Sequence, residues 1–184
     1  MIRSFLPLRP PAARFRSLPV LALSVLTLAG CGTAGDTGPR FSCPRVVLVD
    51  DADRLTRFAG QGRDLTDVDF EAEIMQLAGS CGEDDGVIDV DLQIRIVASR
   101  GPADDDRRAP FAYFVAITDA DERILARESF ETAIEFPGNA TRSGILERVA
   151  HRIPLPEGET GADYAIYVGF ELSREEFDYN RRRR

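Results

Sequence analysis

From Ile88 to Ile96 the chain alternates without a fault: Ile88, Val90, Leu92, Ile94 and Ile96 are apolar, and Asp89, Asp91, Gln93 and Arg95 between them are polar. A period of two sets the five aliphatics on one face and the polar residues on the other, the pattern of a strand with one buried and one wetted side. A helix would scatter the same aliphatics around its circumference. The segment commits the chain to a sheet whose apolar face must be covered by a second layer.

The pattern recurs. Val68, Phe70, Ala72 and Ile74 alternate with Asp69, Glu71 and Glu73 in a strand expected over 68–77, and Phe130, Thr132, Ile134 and Phe136 alternate with Glu131, Ala133 and Glu135. Tyr164, Ile166, Val168, Phe170 and Leu172 share one face of a strand over 163–172. Residues 110–118 are apolar on both faces, as in a central strand. Short strands are expected at 45–49 and 123–126. Turn-forming clusters separate these runs at 50–53, 79–86, 101–108, 119–122 and 137–139, and 54–66 reads as irregular. Residues 143–152 suit either element, since Ile145, Val149 and Ile153 share a face in both; with Leu146 and Ala150 added, periodicity favours a short helix. Ser173-Arg-Glu-Glu176 has the form of a capping box and predicts a brief helix. Seven or so strands joined by turns predict a mainly β fold over 43–178. The expected form is a two-sheet antiparallel β-sandwich, immunoglobulin- or fibronectin-like, with one or two short helices; a small α+β fold is the alternative.

The N-terminal region differs from the rest. Four arginines and no acidic residue precede residue 31, and an apolar run over 18–28 is too short for a permanent membrane span but has the length of a signal-peptide core. The run ends in Leu28-Ala29-Gly30-Cys31. In this setting the quartet resembles the lipobox of bacterial lipoproteins, and the chain resembles the small envelope lipoproteins of Gram-negative bacteria. The resemblance implies that residues 1–30 are removed and that Cys31 carries diacylglycerol and an N-acyl chain, with no other cofactor. It implies a membrane as partner through that anchor, envelope proteins as further partners, and a periplasm-facing domain. Gly32 favours the outer over the inner membrane. Each buried acyl CH₂ contributes ~0.8 kcal/mol, so two or more chains hold firmly. Residues 31–42, rich in glycine, read as a tether of at most ~40 Å.

With Cys31 lipidated, Cys43 and Cys81 remain as an even pair, and an oxidising periplasm predicts a disulfide between them. It would close a loop of about 38 residues, worth roughly 3–4 kcal/mol. Two cysteines so far apart, with one histidine, do not make a zinc pattern.

Charge limits the partners further. Every one of the 23 basic residues is arginine; without the first thirty residues, 19 arginines face 31 acids, a net charge of 19 − 31 = −12. Nucleic acid repels such a chain, and so does anionic lipid at long range. His151 is the sole histidine and has neither a nucleophile motif nor an orienting acid beside it. Serine-elbow, phosphate-loop and zinc-protease motifs are missing, and the lack of lysine removes a Ser–Lys dyad. The acidic groups Asp50/Asp51/Asp53, Glu83/Asp84/Asp85, Asp104/Asp105/Asp106 and Asp119/Asp121/Glu122 read as solvated turns. Asp119-x-Asp121 lacks the central glycine and distal glutamate of a calcium loop. Phe111, Tyr113, Phe114, Phe130 and Phe136 are expected in the core. Residues 179–184 form a basic tail in which Arg181, Arg182, Arg183 and Arg184 offer a contact for an anionic surface. Together these features favour a non-enzymatic binding or scaffolding lipoprotein. The alternatives are a carrier of lipid or small molecules serving a transporter, and a cell-wall or glycan hydrolase working through paired carboxylates.

Overall fold

The computed structural model describes residues 41–183. The expected signal segment over 1–30, Cys31, most of the expected tether and Arg184 lie outside them. Among the described residues eight strands run in chain order: β1 (Arg45–Leu48), β2 (Arg54–Phe58), β3 (Val68–Asp84), β4 (Val87–Arg100), β5 (Arg108–Thr118), β6 (Ile124–Glu135), β7 (Arg142–Pro154) and β8 (Ala165–Phe170). A C-terminal helix, α1 (Arg174–Arg182), follows. The strands form two four-stranded sheets, β1-β8-β5-β6 and β2-β3-β4-β7. Every pairing is antiparallel except β1 with β8.

The fold is a mainly β, two-layer sandwich. The alternating aliphatics of β4 are its centre: Ile88, Ile94 and Ile96 are fully buried, and Val90 and Leu92 nearly so. They belong to one apolar cluster with Phe111, Tyr113 and Val115 of β5 and Ile166, Val168 and Phe170 of β8. At roughly 1.5–3 kcal/mol for each fully buried large side chain, this seam between the sheets is the main source of stability.

Four segments differ from the sequence expectations. Residues 54–58 form strand β2, not an irregular stretch; only Leu55 and Thr56 of it are buried, too little to register as alternation. The expected turn over 79–86 narrows to Asp85 and Gly86, both at positive φ (48° and 73°), while β3 runs on to Asp84. Small residues from Ala78 to Gly82 are held extended by pairing with Asp89–Gln93 of β4. The helix favoured over 143–152 is strand β7, paired residue for residue with β4 from Val87↔Pro154 to Ser99↔Arg142. Leu146 and Ala150, which completed the helical pattern, lie exposed on its outer face, so tertiary pairing overrides local periodicity. Finally, residues 124–135 form one strand, with Leu125 bulged out of register.

Candidate functional site

Chemistry-bearing side chains gather at two places. The first is the end of the sandwich where the described chain begins. Cys43 and Cys81 form a disulfide with Cα atoms 5.8 Å apart, fixing the chain just before β1 to β3. One residue earlier, Ser42 Oγ accepts a hydrogen bond from Ala162 N–H at 3.0 Å. Gly161 fits beneath this crossing because it lacks a side chain: a Cβ there would stand 1.9 Å from Ser42 O. The β3–β4 turn, the β5–β6 turn and the loop before β8 meet at the same end, and Glu83, Asp84, Asp85, Asp121, Glu122 and Glu157 project there into solvent. Asp119 organises the β5–β6 turn by accepting from Asp121 N–H and Arg123 N–H, each at 3.0 Å, and from the Arg123 guanidinium. The Arg123 N–H, foremost among these donors, holds the Asp119 carboxyl below its ordinary range.

Beside this end lies an apolar hollow of about 440 Å³, walled by Ile117, Leu125, Ile153, Pro156 and Tyr164, with Arg152 and Asp119 at its rim. Leu125 is 54% exposed because its bulge turns it out of the β5–β6 ladder. The buried Tyr164 hydroxyl donates to Glu159 at 2.5 Å. Burial, reinforced by the Glu159 carboxylate, pushes the phenol up to about 12. The volume falls in the range of small-molecule sites, and an apolar wall with a few polar groups at the rim is suited to an amphiphile.

The second place is the outer face of the β2-β3-β4-β7 sheet under α1. The helix starts as the capping box predicts: Ser173 Oγ accepts from Glu176 N–H, and the Glu176 carboxylate accepts from Ser173 N–H. No residue of α1 is buried. Polar contacts instead fix it across β2: Arg57–Glu176 at 3.0 Å, Arg63–Glu175 at 2.7 Å and Arg183–Glu71 at 2.8 Å. Asn180 Nδ2 donates to both Asp51 O and Arg54 O at 2.7 Å, and Tyr179 meets Phe58 edge-on at 5.2 Å. Between helix and sheet remains a polar trough of about 500 Å³, lined by Arg54, Thr56, Glu71, Glu73, Arg142 and Arg183. Both signs of charge face each other across it, so it is suited to a polar, charged ligand that exchanges ion pairs with these walls.

Of the four tail arginines, Arg181 and Arg182 close the last turn of α1 and stay exposed, whereas Arg183 is committed to Glu71. His151 lies on the core-facing side of β7 opposite Val90, and its Nε2 is buried without a hydrogen-bond partner among the described residues. Phe111, Tyr113 and Phe136 are buried and Phe130 packs against the core, but Phe114 faces outward, 4.5 Å beneath the Arg127 guanidinium. Its place in an all-apolar stretch hid this. The side chain of Asp104 is fully buried and receives the Arg100 guanidinium at 2.7 Å and Arg107 N–H at 2.7 Å. Among the described residues, no three His, Cys, Asp or Glu side chains converge to hold a metal ion. The trough escaped sequence reading because Glu71 and Glu73 look like any solvent-side residues until β2 and α1 close around them.

No protein-family profile, no characterised protein and no solved structure matches this chain.

Proposed function

We propose that the protein is a lipid-anchored envelope protein in which Cys31 holds a β-sandwich beside a membrane, with a non-enzymatic binding or scaffolding role. The observation that carries this reading is Leu28-Ala29-Gly30-Cys31 placed behind a basic, then apolar, leader. The cysteine arithmetic supports it: with Cys43 and Cys81 joined, Cys31 is the one thiol left over. The acidic rim around the point where the tether meets the domain also fits, because it repels anionic headgroups and keeps the sandwich standing off the bilayer while the acyl chains hold it. Gly32 favours the outer membrane. The charged trough under α1 offers a protein partner its ion pairs, and Arg181 and Arg182 beside it suit an acidic or anionic surface.

The test is metabolic labelling with a fatty acid, together with fractionation of Cys31→Ser. Label on the native protein and release of the variant from membranes are expected. An unlabelled protein, or a variant that stays with the membrane fraction, overturns the reading.

A second reading, a carrier of one small amphiphile, is favoured by the apolar hollow beside Tyr164. Native mass spectrometry of the gently extracted protein decides it: a bound species that disappears in Leu125→Arg supports carriage, and bare protein excludes it.

A further inference from the structure

Each sheet of the sandwich has two edges, and three of the four are unsuited to pairing with another copy. β1 is four residues long. β2 is covered by α1, whose Asn180 takes the Arg54 carbonyl. β7 is long and, among the described residues, uncovered, but its outward groups belong to the wrong residues. Leu155 N–H donates to Gly86 O, and the alternation of an antiparallel ladder then turns the backbone of the even-numbered β7 residues away from β4. Those residues include Arg142, Arg148 and Arg152 and no carboxylate.

The remaining edge is β6. Phe136 N–H donates to Arg107 O, so the even residues from Ala126 to Ile134 bond β5 and the odd ones turn N–H and C=O outward. The outward set reads Arg127, Ser129, Glu131. No backbone hydrogen bond outside the β5–β6 ladder reaches these three, and Glu131 makes no ion pair among the described residues. The order basic, neutral, acidic is its own complement when read antiparallel. We propose that β6 is a self-pairing edge: two copies join antiparallel about a two-fold axis through Ser129, with Arg127 of each opposite Glu131 of the other.

The order of side chains along the edge agrees with this register. The outward backbone groups and the complementary charges sit on the same odd residues. Odd residues meet odd residues, so the two sheets continue into one with a common outer face. Shifts that centre on Arg127 or Glu131 place like charges on the axis, which an antiparallel pair disfavours. Arg127 already reaches Glu171 at 2.8 Å and stays 41% exposed, so its fork is oriented and still accessible. One residue opposes the joint: Glu128, in the core-facing register, falls across from Phe130 of the second copy. A charge pointing inward at an edge weakens pairing. The joint is therefore a reversible one.

Cross-linking tests the register. In a hydrogen-bonded antiparallel pair, opposite Cα atoms stand about 5.5 Å apart, within disulfide reach. In the full chain carrying Cys31→Ser, so that no other thiol is free, Ser129→Cys is expected to give a covalent dimer under mild oxidation. Glu135→Cys, six residues along the same edge, is expected to stay monomeric, because two copies place that position roughly 40 Å apart. Adding Glu131→Arg to Ser129→Cys is expected to cut the dimer yield by roughly five-fold or more, and adding Arg127→Glu as well restores it. A Ser129→Cys chain that dimerises no better than Glu135→Cys overturns the proposal, as does a yield indifferent to Glu131→Arg.

Discussion

Replacing Cys43 by serine and Cys81 by alanine removes one covalent link and little else. Cys43 is exposed, so a hydroxyl is harmless there, while Cys81 packs against the core and takes a methyl. The bond spans 38 residues. Closing a loop of that length removes about 13 cal/mol/K of entropy from the unfolded chain, or about 4 kcal/mol at 25 °C. At roughly 3 °C per kcal/mol for a domain of this size, the unfolding midpoint is expected to fall by about 12 °C. The assay is guanidinium unfolding followed by circular dichroism, on the oxidised native chain, the same chain in reductant, and the double variant. The last two are expected to coincide, because both lack only the link. The slope against denaturant is expected to rise in both, since the uncrosslinked chain exposes more surface on unfolding. A loss below about 1 kcal/mol refutes the reasoning. It would mean that the segment from β1 to β3 is already collapsed when unfolded, leaving the link little freedom to remove.

Three other outcomes are expected. Asp104→Asn leaves the partly exposed Arg100 guanidinium facing a neutral group and is expected to cost about 2 kcal/mol by denaturant titration. Burial alone would raise the Asp104 carboxyl, but hydrogen bonds from Arg100 and Arg107 outweigh it and lower it. Its contribution is therefore whole above the ordinary aspartate value of about 3.9 and declines as pH falls from there through the lower folded value, an acid-side loss that Asp104→Asn abolishes. Tyr164 works in the opposite sense: burial and Glu159 favour its neutral form, so the stability it adds is complete below the ordinary value of 10.0 and disappears as pH rises toward about 12. Ultraviolet titration should show its phenol ionising late, and earlier in Glu159→Gln. Because α1 buries no side chain, its attachment is expected to weaken in salt: amides of Phe177–Arg181 exchange faster at 1 M than at 0.1 M sodium chloride, and Asn180→Ala has the same effect at low salt.

How far the fold can be read from the chain follows from where the burial falls. β4 is legible because its two faces meet different solvents, and the polar and apolar residues sort themselves accordingly. β7 is not, because Leu146 and Ala150 on its wetted face blur the alternation, and its register comes from β4 rather than from itself. β2 is silent since its outer side is sheltered by α1, a contact spanning more than a hundred residues. Which strands lie side by side is likewise unwritten in any local pattern: β8 joins β1 to β5, and β7 returns to β4 across the whole β5–β6 hairpin. The disulfide partners follow from the count of cysteines once Cys31 is set aside on the lipobox resemblance. The trough does not, since its walls come from β2, β3, β4, β7 and α1 together and no one of them carries a signature.

The position of the Cys43–Cys81 bond has a mechanical consequence. A force drawing on the leading segment would otherwise act on β1, a four-residue edge strand that can be peeled from β8 one hydrogen bond after another. The sulfur bridge diverts that tension past β1 and into β3, which pairs with β4 from Phe70 through Asp84. A pull on that segment is thereby spread over many bonds strained together, so the domain resists it far better than its short first strand alone would permit.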